Sequence, residues 1–172
     1  AEPRIFYPIP QNKSAIFYED DFTINEENWT TSALDSVMAT DTLNGGIDIS
    51  ITDDDPAMRS SLQGLFEERG FQTRLACDGQ EAVNIVQQDQ IHLLLLDMHM
   101  PRMTGLEAIR IIQQLACPVP CILFSAKLDE ALTRQAQQAD VFSVLAKPFR
   151  LAQITELVCG ALLATYGWTP RR

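Results

Sequence analysis

Basic clusters are missing from this chain. Its 172 residues hold 13 lysines and arginines against 23 acids, a net charge of −10, and the only adjacent basic pair is Arg171-Arg172. Phosphate backbones reward stripes of Lys and Arg, so direct nucleic-acid binding is not expected. Long apolar runs are missing too: none approaches the roughly 20 residues of a membrane span. The polar N-terminus carries no signal-peptide pattern, which leaves a cytoplasmic location and no membrane partner as the expectation. Histidine is scarce, and the four cysteines (Cys77, Cys117, Cys121, Cys159) form no CxxC or zinc-type grouping with it. Each lies in or beside an apolar run, where cysteine behaves as a small hydrophobe. Buried free thiols in a reducing compartment are therefore expected.

What is present suffices for one ordinary domain and a remainder. Apolar residues make up 46% and charged residues 21%, enough for a core under a polar surface. The charge is unevenly spread. Residues 1–46 carry eight acids and two bases, net −6, whereas 47–172 carry fifteen acids and eleven bases, net −4. Gly45-Gly46 marks the joint. Upstream, Pro3, Pro8 and Pro10 punctuate the chain. Residues 15–23 then read as a short strand or hairpin and 30–43 as a short helix. With Phe17, Phe22 and Trp29 as its large apolar groups, this acidic extension is too small to hold a core alone. It is expected to dock on the main domain, on a partner, or on nothing.

Downstream the pattern is regular. Residues 47–52 alternate apolar and polar as a strand does. Asp55 and Pro56 have the character of a cap and a first-turn residue. The helix they open has the stripe Met58, Leu62, Leu65 and Phe66, and Gly70 ends it. A strand over 71–77, the turn Asp78-Gly79 and a helix over 80–88 follow. Then four consecutive leucines, 93–96, end in Asp97. Such an unbroken apolar strand is buried on both faces, as in a parallel sheet covered by helices. Leu106, Ile109, Ile112 and Leu115 mark a third helix, and 119–125 a fourth strand. A polar helix over 129–139 has only the thin stripe Ala131, Leu132 and Ala136. A fifth strand over 141–146 and a helix over 151–165 complete a doubly wound α/β domain spanning 47–166, with 167–172 as a tail.

Right-handed crossovers put the carboxyl end of every parallel strand on one edge, where open α/β sheets bind ligands. That step gathers Asp53, Asp54 and Asp55 with Asp97, Ser125 and the pair Lys147-Pro148. Crowded carboxylates repel unless a proton or cation joins them. An all-oxygen set suits a hard cation, and Mg²⁺ takes few carboxylates and completes its shell with waters and phosphate oxygens. Lys147 can neutralise a phosphate oxygen and Ser125 can donate to another. An aspartate in this position can itself be the nucleophile. The residues alone point to a Mg²⁺-assisted phosphoryl site with Asp97 as the leading acceptor.

The set resembles a known family when taken in order. Asp53-Asp54, Asp97 with Met98, Met100, Pro101, Met103 and Gly105, Ser125-Ala126, and Lys147-Pro148-Phe149 resemble the receiver domain of two-component response regulators, of the chemotaxis-regulator type. The resemblance implies a flavodoxin-like parallel sheet of five strands in order 2-1-3-4-5 with five helices, the acidic extension lying outside it. It implies that Asp97 accepts a phosphoryl group from a phosphohistidine on a sensor histidine kinase or histidine phosphotransfer protein. Asp54 and Asp97 would ligate Mg²⁺ directly, with Asp53 acting largely through water and His99 through its backbone carbonyl. Ser125 and Lys147 would hold the phosphoryl oxygens. Output would pass by protein–protein contact to a downstream target, with a homodimer left open. The chain departs from the family at Val144, where an aromatic switch residue usually stands three residues before the lysine. Phe142 lies on the same face of an ideal strand, further from the site. His99 and Lys127 stand where the family tunes the lifetime of the aspartyl-phosphate.

Other classes fit less well. A haloacid-dehalogenase-type phosphatase also uses an aspartate after a buried strand, but it needs a second acid two residues on, where this chain has His99. A signalling acceptor rather than an enzyme is the expectation. The main alternative is a receiver fold that serves as a scaffold without being phosphorylated; the full acid set speaks against it and Val144 for it. No output module follows Lys147, and the chain begins at Ala1 rather than a methionine. It therefore also reads as a fragment of a hybrid kinase or longer regulator.

Overall fold

The computed structural model describes residues 4–5, 46–115 and 119–168. Six strands form one sheet: β1 (Arg4–Ile5), β2 (Asp48–Thr52), β3 (Gln72–Ala76), β4 (Leu93–Asp97), β5 (Cys121–Ser125) and β6 (Ser143–Ala146), in the order β1-β6-β5-β4-β2-β3. β2 to β6 pair in parallel and, counted alone, have the expected order 2-1-3-4-5. β1 pairs antiparallel on the outer side of β6. This strand has no counterpart in the sequence reading, because two residues are too few to show a period. The elements expected over 15–23 and 30–43, and Cys117, lie outside the described residues.

Among the described residues, four helices connect the parallel strands, α1 (Pro56–Glu67), α2 (Gly79–Gln88), α3 (Gly105–Leu115) and α4 (Glu130–Gln138), and a fifth, α5 (Leu151–Tyr166), follows the last of them. Three of them start on an aspartate whose side chain accepts a first-turn N–H: Asp55 from Ala57, Asp78 from Glu81 and Asp129 from Leu132. Each cap satisfies an otherwise unpaired donor. Two apolar layers flank the sheet. α1 and α5 cover one face through Leu62, Phe66, Ile154 and Val158, while α2, α3 and α4 cover the other through Val83, Ile109, Ile112 and Ala136. The leucines of β4 divide between them, Leu93 and Leu95 in the first layer, Leu94 and Leu96 in the second. All four are fully buried, each contributing roughly 1.5–3 kcal/mol relative to exposure.

The polar residues Ser50 and Thr52 of β2 are fully buried, because α2 packs over that strand. Several local expectations are corrected. On α4 the buried residues are Leu132, Thr133 and Ala136, and Ala131 is exposed. Cys77 is exposed, since it lies past the end of β3 in the bend before α2. Cys121 and Cys159 are buried, and burial pushes their thiols up to about 12 and about 11, so neither forms a reactive thiolate. Phe142 does not share a face with Val144. It precedes β6 in a bend and packs in the α1–α5 layer, whereas Val144 packs in the other. Among the described residues, no helix is long and apolar enough to cross a membrane.

Candidate functional site

The parallel strands end on one edge, and their last residues meet there. Carboxylate oxygens of Asp53, Asp54 and Asp97 lie within 4.8 Å of one another. Asp53 follows β2 directly and is fully buried; Asp54, one residue on, is exposed. Asp97 ends β4 and is buried. Lys147 follows β6, and its Nζ lies 2.9 Å from Asp53 Oδ2 and 3.2 Å from Asp97 Oδ1. One ammonium thus bridges two buried carboxylates of adjacent strands.

Asp53 is held at every polar atom. Its Oδ1 accepts the Asp55 N–H at 2.9 Å, its N–H donates to the Ala76 carbonyl at 3.3 Å, and its own carbonyl accepts from Arg59 Nη1 at 2.6 Å. Arg59 projects from the first turn of α1, and nothing in the sequence pattern singled it out. The loop after Asp97 is fastened as well. Arg102 Nη2 lies 2.7 Å from Asp78 Oδ2, tying that loop to the cap of α2. Gly105 opens α3 so close to β4 that a Cβ there would stand 2.5 Å from the Asp97 carbonyl oxygen. A side chain at this position would displace the strand end that carries the acid.

Ser125, at the end of β5, is fully buried. Its hydroxyl donates to the Lys127 carbonyl at 2.7 Å and accepts the Lys127 N–H at 3.2 Å. His99 is exposed, with ring Nε2 3.4 Å from Ser125 Oγ. The serine proton is therefore committed to the backbone and must turn to reach a ligand at Asp97.

The electrostatics follow from the crowding. Burial, and then the negative charge of Asp53, raise the pKa of Asp97, with Lys147 opposing them. Burial disfavours the Lys147 ammonium, but the hydrogen bond and charge of Asp53, joined by Asp97, outweigh it and leave its pKa raised. The donor set fits a hard divalent cation: three carboxylates within reach of one point, no sulfur among them, and one of them open to solvent. Sequence reasoning placed Lys147 beside a phosphoryl oxygen. Its direct bridge between Asp53 and Asp97 requires the sheet order, which only the folded chain shows.

A strand-end site of this kind on a 2-1-3-4-5 sheet defines a class, and comparison with known proteins agrees. A family model described as the response regulator receiver domain matches residues 49–159. The chain belongs to that family. Response regulator RR06 of Streptococcus pneumoniae is 34% identical over 122 residues, spanning 70% of this chain and 54% of that protein. Response regulator MprA of Mycobacterium leprae is 32% identical over 117 residues, spanning 68% and 51%. The chain thus spans about half the length of the curated relatives it matches. Among solved structures, the chemotaxis protein CheY4 of Vibrio cholerae superposes with a TM-score of 0.65 at 20% identity, covering 68% of this chain and 99% of that one. A chain in the co-crystal of the Saccharomyces cerevisiae histidine phosphotransfer protein Ypd1 and the receiver domain of Ssk1 gives 0.63 at 23% identity, covering 73% and 96%. These structural likenesses show the fold.

Proposed function

We propose that Asp97 is a phospho-acceptor and that the chain is the receiving module of a phosphorelay, a signalling domain rather than an enzyme. One observation carries this reading: buried Asp97 stands against Lys147 and beside two further carboxylates, in an oxygen set that suits a single divalent cation. A carboxylate oxygen of Asp97 forms a bond to phosphorus as the P–N bond of a phosphohistidine breaks. The imidazole leaves with the electron pair and takes a proton from water. Lys147 passes from the carboxylates to a phosphoryl oxygen, and Ser125 turns its hydroxyl from the Lys127 carbonyl to another. Mg²⁺, held by Asp53, Asp54, Asp97 and the His99 carbonyl, would supply neutralising charge on the phosphoryl oxygens. Asp53, committed at both carboxylate oxygens, suits contact with the ion through water.

The donor on this reading is a sensor histidine kinase or a histidine phosphotransfer protein, the class of partner named for the yeast receiver above. Output passes by protein contact in the cytoplasm, with no direct nucleic-acid contact, as the net charge of −10 supports. A second reading, a scaffold that is not phosphorylated, has Val144 in its favour: this buried aliphatic residue leaves no ring at that place on β6 to move. The test is the intact mass of the full chain after Mg²⁺ and acetyl phosphate. One added phosphoryl group, absent from Asp97→Asn and absent with chelator, supports the acceptor. No gain by a folded chain that binds Mg²⁺ supports the scaffold.

A further inference from the structure

The two outermost parallel strands are protected differently. β3 carries Gln72, Thr73 and Arg74, and Arg74 lies near the carboxylates of Asp48 and Asp89. Charge on an edge strand discourages a foreign strand from pairing with it. β6 reads Ser-Val-Leu-Ala, with neither charge nor proline. An edge of that composition is a template for another chain. Its outer side carries β1, with Arg4 opposite Val144 and Ile5 opposite Ser143.

We propose that this N-terminal segment is an edge guard: it occupies the strand-accepting side of β6 and denies it to a second copy of the chain. The register supports it: β1 and β6 run antiparallel with Ile5 directly opposite Ser143, on the side of β6 away from β5. Guard and edge belong to one chain. A second copy competes only near the effective concentration set by the tether, on the order of millimolar. The proposal stands apart from the phosphoryl chemistry and does not depend on it.

The test compares the full chain with Ile5→Pro, which removes the residue-5 N–H, and Ile5→Ala, which keeps it. Amide exchange by NMR is the first readout. In Ile5→Pro the Ser143 amide should exchange about tenfold faster or more, while Ile5→Ala matches the native chain. The Leu94, Leu95 and Leu96 amides, buried in the middle of the sheet, should not change. Sedimentation is the second readout: at about 0.1 mM, well below the effective concentration of the tethered guard, Ile5→Pro should dimerise and the native chain stay monomeric. Equal Ser143 exchange in all three chains would remove the contact. An Ile5→Pro chain that loses Ser143 protection yet stays monomeric would remove the guarding role, as would a native chain that dimerises equally.

Discussion

At the carboxyl end of the sheet, Asp53, Asp54 and Asp97 crowd together with Lys147 reaching two of them. At the amino end, His92 is buried and Asp48 and Tyr166 are half-buried, with Arg74 and exposed Asp89 further out, and each has a polar neighbour. The Asp48 N–H donates to His92 Nδ1 at 2.9 Å, and the His92 N–H returns to the Asp48 carbonyl at 2.9 Å. Tyr166, at the end of α5, donates its hydroxyl to the His92 carbonyl at 2.8 Å and sets its ring edge-on to the imidazole. Arg74 lies 3.5 Å from Asp48 and 3.6 Å from Asp89. These contacts fasten β2, β4 and α5. An excess of carboxylate over cation leaves charge that a ligand can neutralise, and the fold bears the cost until one arrives.

The largest expected effect separates those two roles. Asp97→Asn should abolish phosphoryl uptake, read by intact mass, and should also raise the melting temperature at pH 7. The sign follows from the raised Asp97 pKa: its ionised form opposes folding. That cost is absent in acid and full once the pH exceeds the raised value. The gain from Asn should therefore shrink as pH falls toward 4. A variant less stable than the native chain at pH 7 would break the contrast between the two ends.

Lys147→Met should destabilise the chain by roughly 2 kcal/mol in urea titration, since two buried carboxylates lose their shared cation. If stability instead stays level, Lys147 is not what offsets the acid repulsion. At the other end, His92→Ala should cost about 1–3 kcal/mol, because the buried Asp48 N–H loses its acceptor. Burial lowers the His92 pKa from 6.5, with Asp48 opposing. The native chain should lose stability as pH falls below about 6.5, and the variant should lack that step. The smallest change is expected at Asp54→Asn, where the side chain is exposed: stability within about 0.5 kcal/mol of native, measured beside a weakened Mg²⁺ affinity by calorimetry. Unchanged Mg²⁺ binding would take Asp54 out of the ligand set.

Much of this was legible in one dimension, for identifiable reasons. The four leucines before Asp97 announce a strand covered on both faces because no polar side chain interrupts them. Asp55 ahead of Pro56 announces a capped helix because both residues act on their own turn. Ser50 and Thr52 show where local pattern stops: their alternation marks a strand, and only the packing of α2 buries its polar face. Arg59, reaching back to the Asp53 carbonyl, leaves no periodic trace. Phe142 shows how a bend ahead of β6 defeats period-two counting.

The order of strands and helices, the strand ends that carry Asp53, Asp97, Ser125 and Lys147, and the family they mark were determined by the sequence. Those features depend on short-range pattern, which the chain states locally. The bridge from Lys147 to Asp53 and Asp97, the cluster around His92 and the strand laid against β6 were decided by tertiary structure. Each joins residues far apart in the chain, and a contact of that kind exists only once the sheet order has brought its members together.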